Sequence, residues 1–351
     1  VARPDRRQQA TDLAMPLIAV LGAFVTSGLL IQMAGYDALR ALAALFNGAF
    51  GNTYNLAETG VRSCPLLLSG LAVMLAFRCG FWNIGVEGQF LMGALMTAWI
   101  SPFFIESTPY LAWPLILFSG LLAGAAWGSI AGILKVNRQV QEVISTIMLN
   151  FIALQVVSYA VHGPLMESAG QFPQTNAVAE TIRLTRWFPP TRFHSGILVA
   201  LIIGILLYIL LFRTVLGYRI RAVGMNAVAA GAAGIHVSKT ILITMCLSGG
   251  VAGLAGAIEL TGVTYRLYEQ YGGGYGYTGI AVALLGRLHP GGIVLAALLF
   301  GILETGANAM QREANVSAVL VYVIQALILL FVLIGTAMSN RWAKHKPQTD
   351  T

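Results

Sequence analysis

The chain has 351 residues, of which 57% are hydrophobic and only 10% charged, with a formal net charge of +7 and a mean hydropathy of +0.75. Soluble domains carry about 25% charged residues, so a shortfall along the whole chain excludes an ordinary soluble globule. The apolar runs are about 20 residues long, enough to cross a bilayer as helices, and they are continuous rather than alternating, which excludes a transmembrane β-barrel.

An all-α polytopic membrane protein is therefore expected. Residues 1–11 form a basic, polar tail without a signal-peptide cleavage pattern, so the first span is expected to stay in the mature protein. About ten membrane helices are expected within 12–338, at 12–34, 62–78, 82–101, 111–134, 141–162, 195–213, 238–262, 275–288, 290–309 and 316–338, followed by a tail at 339–351. The eighth is short for a full crossing. With the N-terminus inside, 14 of the Lys and Arg residues fall on the cytoplasmic side and 7 outside, so the positive-inside rule places both termini in the cytoplasm. Orientation thus accounts for the positive charge, and no nucleic-acid polymer is implied. The longest outer loop, 163–194, contains no span. Cys64, Cys79 and Cys246 lack metal spacing and read as small packing residues.

A carboxylate at membrane depth costs about 2.5–3.5 kcal/mol on insertion scales, so each needs a reason. The stretch "CGFWNIGVEGQF" (79–90) contains Asn83, Glu87 and Gln89. Read as a continuous helix, it puts Asn83 and Glu87 on one face, i and i+4, and points Gln89 elsewhere. Two readings of Glu87 stay open. It fixes a turn, by the helix dipole and an ion pair with Arg78, or with Asn83 it lines a polar passage. Glu142, Thr146 and Asn150 share a second face, and Glu304 and Asn308 form a third pair, with the same two readings. A proton-coupled carrier using such carboxylates also remains open at this point.

Glycines 120, 124, 128 and 132 recur every four residues, which predicts close helix packing, and "SGGVAGLAGA" (248–257) reads the same way. "GYGYTG" (274–279) matches G-x-G-x-x-G but follows no strand, so a dinucleotide site is not expected. The chain has no P-loop, H-E-x-x-H or G-x-S-x-G motif. No catalytic group, metal site or cofactor of its own is expected.

In segment 217–239, Asn226 is an N-cap, Ala227–Ala233 favour a two-turn helix and Gly234 suits a left-handed stop. Isolated helices this short are marginal. This one needs a surface to dock on, either a cytoplasmic partner or its own membrane domain.

Four stretches, "FWNIGVEGQFLMGA" (81–94), "VQEVISTIMLNFIA" (140–153), "RAVGMNAVAAGAAGI" (221–235) and "GYTGIAVALLGRLHPGGIVLAALLFG" (276–301), occur in the order seen in one family. Together they resemble the permease subunits of ABC importers in the branched-chain amino acid and simple-sugar superfamily, nucleoside-type branch. The pattern departs at Gln141, where the family has Asn. The resemblance implies a bacterial-type cytoplasmic membrane location and alternating access. It also implies a second permease, identical or related, and an extracytoplasmic substrate-binding protein. Two cytoplasmic ATPase subunits would bind ATP and Mg. It implies that Arg219, Arg221, Gly224, Asn226, Ala229, Ala230 and Gly234 belong to the loop received by the ATPase. Neighbouring branches carry simple sugars or branched-chain amino acids. For a nucleoside, Phe81, Trp82 and Asn83 would supply stacking and hydrogen bonds. Tyrosines 265, 268, 271, 275 and 277 are expected near the outer mouth, where an interfacial aromatic belt is the alternative.

Overall fold

A computed structural model of the chain describes residues 21–104, 108–317, 319–320, 322–327, 330–331 and 334. The two tails, much of the expected spans 12–34 and 316–338, and with them the placement of the termini, lie outside the described residues. Among those described, six helices are long and apolar enough to cross a membrane. The chain divides into two compact units, residues 1–56 with 302–351, and residues 57–301.

In the first unit, α1 (Leu21–Met33) is followed by α2 (Ala38–Phe50). The second helix was not expected. Its 13 residues are too few to span, but Asp37 caps it by accepting from the Arg40 N–H at 3.0 Å, a local signal that the sequence does carry. Phe24 and Phe46 meet with ring centroids 5.7 Å apart. A Cβ on Gly306 would lie 2.4 Å from the Leu45 carbonyl oxygen, so α2 packs backbone to backbone on the later part of α12 (Pro290–Ala314).

In the second unit, α3 (Thr53–Arg78, from Ala57 on), α5 (Pro109–Arg138), α6 (Glu142–His162), α7 (Gly196–Arg213) and α10 (Val237–Glu259) are long. The last is extended by a π-helical turn, Leu260–Thr264. Two helices expected to span are shorter: α4 (Val86–Ile100) and α11 (Tyr275–Leu285), with 15 and 11 residues. Between α7 and α10, in a segment expected to be loop before residue 226, lie α8 (Val215–Met225) and α9 (Ala227–Ala232). Thr214 caps α8 through the Gly217 N–H at 3.1 Å.

The centre of this unit is a glycine seam. A Cβ on Gly124 would fall 2.2 Å from the Gly249 oxygen, and one on Gly253 2.2 Å from the Gly120 oxygen. A Cβ on Gly93 would come within 2.1 Å of the Gly253 oxygen. Helices α4, α5 and α10 therefore touch through their backbones, the geometry that small residues permit where lipid supplies no hydrophobic drive between helices.

Residues 163–195, which contain the long loop expected at 163–194, fold against the end of α10. Thr175 and Val178 N–H donate to the carbonyls of Leu267 and Tyr265 at 2.8 and 2.9 Å, and Leu184 N–H to that of Thr261 at 3.0 Å. Arg266 pairs with Glu167 at 2.6 Å, and Arg192 pairs with Glu58.

Candidate functional site

The polar residues of 79–90 do not lie on one continuous helix. Residues 81–84 are non-helical, α4 starts only at Val86, and Asn83 stands before it. The expected Asn83–Glu87 face is thus corrected, because the extra backbone freedom of the break turns Asn83 back onto Gln89. Their amides exchange two hydrogen bonds, Asn83 Nδ2 to Gln89 Oε1 and Gln89 Nε2 to Asn83 Oδ1, both at 3.1 Å. Asn83 Oδ1 also accepts from the Gly85 N–H at 3.0 Å, and Nδ2 donates to Ser248 Oγ at 3.0 Å. Ser248 Oγ donates in turn to the Ala72 carbonyl at 2.7 Å.

The face of α6 closes the other side. Asn150 Oδ1 accepts from the Gly88 N–H at 2.8 Å, and its Nδ2 donates to the Ile84 carbonyl at 2.9 Å and to Tyr277 Oη at 3.2 Å. Thr146 Oγ1 accepts from the Ile84 N–H at 3.3 Å. Asn83, Thr146 and Asn150 are all fully buried. Every one of these side chains serves a backbone group that the break has left without a helical partner.

Glu87 is also buried, and its partners lie far along the chain. Its carboxylate oxygens accept from the Gly274 N–H at 3.2 Å and the Gly276 N–H at 2.6 Å. The carboxylate thus caps the N-terminus of α11, where the helix dipole favours an anion. The expected Arg78–Glu87 ion pair does not form, because Arg78 Nε donates instead to the Leu288 carbonyl at 2.8 Å. Glu142 pairs with Lys135 at 2.6 Å across the turn from α5 to α6.

Three helices give the depth of this junction at about 1.5 Å per residue. Ser248 stands eleven residues after Val237, about 16 Å along α10. Asn150 is eight residues after Glu142, about 12 Å along α6, and Ala72 is six residues before the end of α3. Both short helices therefore begin in the middle of the helical layer.

Of the remaining expected residues, Phe81 is buried among Ala76, Ala131 and Met245. Trp82 is 54% exposed and packs on Phe77 with ring centroids 4.7 Å apart. Glu304 and Asn308 stand one turn apart on α12, in the first unit, the former half-buried and the latter exposed. In the coupling segment, Asn226 Oδ1 accepts from the Ala229 N–H at 3.0 Å and Gly234 has φ +82°. Ala229 is exposed while Ala230 faces its own chain. Arg219 and Arg221 lie on α8, with Arg221 5.2 Å over the Phe212 ring. A Cβ on Gly224 would lie 2.1 Å from the Arg78 oxygen, so the end of α8 rests on the last residue before the break.

Ser248 and the glycine run 272–274 were not expected as part of the site. Tyr277 was expected near the outer mouth but sits at the junction, 42% exposed, and Tyr271 is buried against Phe90. The available signal was "YGGGYG" between two apolar helices. All three glycines have positive φ, from +52° to +97°, and terminate one element before α11 begins.

Residues 55–333 match the family described as branched-chain amino acid transport system / permease component. The chain belongs to that family. The permease is 39% identical to a guanosine ABC transporter permease protein of Bacillus subtilis over 93% of this chain and 94% of that one. It is 33% identical to a glucose ABC transporter permease protein of Haloferax volcanii over 91% and 86% of the two chains. Identity is 32% with a nucleoside ABC transporter permease protein of Lactococcus lactis, over 91% and 90%. No solved structure matches the permease. It is a multi-pass membrane protein of ABC transport.

Proposed function

We propose that this permease forms the nucleoside path of an ATP-driven importer of a bacterial-type cytoplasmic membrane. What carries the substrate class is the 39% identity, over nearly both full lengths, to a permease named for guanosine, supported by the nucleoside permease at 32%. The permease works with a second permease, identical or paralogous, and an extracytoplasmic binding protein. Cytoplasmic ATPase subunits hold ATP and Mg, and the permease itself hydrolyses nothing.

Within the second unit, the path follows the mid-depth junction. Non-helical backbone at membrane depth is tolerated only when buried in protein or facing a water-filled cavity. Most of the break is buried, whereas Trp82, Gly273 and Tyr277 are exposed. Tyr277 Oη accepts from Asn150, which leaves the phenolic proton free to donate. A hydroxyl-rich ribose and a stacking base suit that surface. Phe81, Asn83, Glu87, Thr146 and Asn150 act behind it, holding its shape, and Glu142 holds the turn at the start of α6. Glu304 and Asn308 remain candidates for the path in the first unit. The exposed side of α9, with Arg219, Arg221 and Ala229 around it, docks the ATPase.

The glucose permease relative favours a second reading, a simple sugar as cargo. Competition separates the two. In cells expressing the full transporter, excess unlabelled nucleosides should abolish uptake of labelled guanosine and glucose should not. Uptake of glucose that guanosine fails to compete would replace the nucleoside reading.

A further inference from the structure

Helix α11 is gripped at both ends by one short stretch of chain, residues 78–87. At its N-terminus, Glu87 accepts from the Gly274 and Gly276 N–H groups at 3.2 and 2.6 Å. At the other end, Arg78 Nε donates to the Leu288 carbonyl at 2.8 Å. Leu288 belongs to the closing turn of the helix, because its own N–H returns to the Ala283 carbonyl at 2.9 Å. The anion thus stands at the positive end of the helix dipole and the cation at the negative end. The Glu87–Gly276 and Arg78–Leu288 partners are 189 and 210 residues apart in the chain, so neither contact is a by-product of local geometry.

The same stretch seats the end of α8. A Cβ on Gly224 would lie 2.1 Å from the Arg78 oxygen, and one on Gly80 would lie 3.3 Å from the Gly224 Cα. The two backbones are in direct contact, with no side chain between them to deform. Arg221 and Arg78 lie 5.2 and 5.8 Å from the centroid of the Phe212 ring, so the end of α7 braces this contact.

The joints of α11 suit movement. Left-handed residues flank it on both sides, Gly272–Gly274 before it, and Arg287 and Leu288 after it at φ +53° and +52°. Short irregular joints at helix ends are where a hinge absorbs backbone rotation. Against α3 the helix presents Gly279, where a Cβ would lie 2.7 Å from the Ser69 Cβ. That smooth contact is of the kind that lets packed helices slide by small amounts.

We infer that residues 78–87 form a yoke that passes displacement of α8 on to α11, with Arg78 as a positioning residue within it. The inference rests on the reading of α9 as the seat of the ATPase. When nucleotide shifts α9 and α8, the yoke draws α11 along and moves Tyr277, which α11 exposes at the mid-depth junction. Arg78 acts through α11 and touches neither nucleotide nor cargo.

The test uses the complete transporter in proteoliposomes. In a Cys246→Ser background, Tyr277→Cys reports the position of α11 through its rate of labelling by a water-soluble maleimide. Labelling should differ severalfold between the nucleotide-free and ATP-trapped states, and Arg78→Gln should remove most of that difference. With Tyr277 restored, Arg78→Gln should still retain the ATPase and hydrolyse ATP. Its guanosine uptake per ATP should fall on the order of tenfold, as expected for loss of one hydrogen bond from a charged group. Arg78→Lys, which keeps a donor for Leu288, should recover most of the uptake. Gly224→Ala, which inserts a methyl at the α8 contact, should show the same split and serves if Arg78→Gln fails to assemble. Equal labelling of position 277 in the two nucleotide states overturns the yoke, and so does unchanged uptake per ATP in Arg78→Gln. A parallel loss of ATPase retention, hydrolysis and uptake in both variants makes the contacts merely structural and also overturns it. Wild-type uptake that needs no ATPase would overturn the importer reading instead.

Discussion

Glu87 joins two broken helices with one carboxylate. Its oxygens hold the Gly274 and Gly276 N–H groups, and Glu87→Gln presents an NH2 where one acceptor is needed. Loss of a hydrogen bond to a charged group leaves a buried donor unmet and costs about 1–3 kcal/mol. The variant should unfold at lower temperature and transport less, with both defects measured on the same preparation. An unchanged Tm with transport lost would assign the carboxylate to cargo or protons instead. A second residue sets the pH response of the folded segment 163–195. His194 accepts from the Gly196 N–H at 3.2 Å while buried, and its pKa is about 4, against about 6.5 in an unfolded chain. Between those values the unfolded state binds more protons, so this contribution is complete above about pH 6.5 and declines as pH falls toward 4. It amounts to something on the order of 3 kcal/mol. Thermal unfolding from pH 7.5 to 4.5 should show the decline, and His194→Gln should flatten it. Glu167 acts in a separate window. Hydrogen bonds from Gln174, Phe172 and Arg266 outweigh partial desolvation and keep it below the usual carboxylate range, so its contribution is lost only at still lower pH.

Among the elements, α9 was legible in the sequence because its determinants are local. An Asn cap, an Ala-rich turn and a Gly stop mark its ends by local signals, although a helix of six residues still needs a surface to pack on. The junction was not legible, for a physical reason. Spacing rules assume a continuous helix, and the break at 81–84 removes that assumption. Gln89 then returns to Asn83, and the partners of Glu87 lie more than 180 residues away. Helix α2 was missed because a search for spans passes over a helix of 13 residues, despite its Asp37 cap. Ala229 and Ala230 are neighbours in sequence with different surroundings. Ala229→Trp should prevent the ATPase subunit from co-purifying while changing stability by no more than the roughly 0.5 kcal/mol typical of surface changes. Ala230→Trp, inserted where the side chain faces its own chain, should lower Tm itself. ATPase retention by the Ala229→Trp variant would contradict the docking role.

At the scale of the molecule, composition and apolar run length were enough to establish a helical membrane protein, since both act on every residue. The glycine repeat at 120–132 correctly announced close packing, though not that α4 and α10 would complete the seam. Within residues 57–301, the elements line up in a mechanical order. The end of α8 rests on Arg78, the break follows, and Glu87 ties that break to α11. The most direct measurement is labelled guanosine uptake into proteoliposomes containing the permease, its cognate ATPase and its binding protein. Uptake should require ATP hydrolysis and stop when the ATPase is omitted. Uptake driven by a proton gradient in the absence of any ATPase would contradict the account.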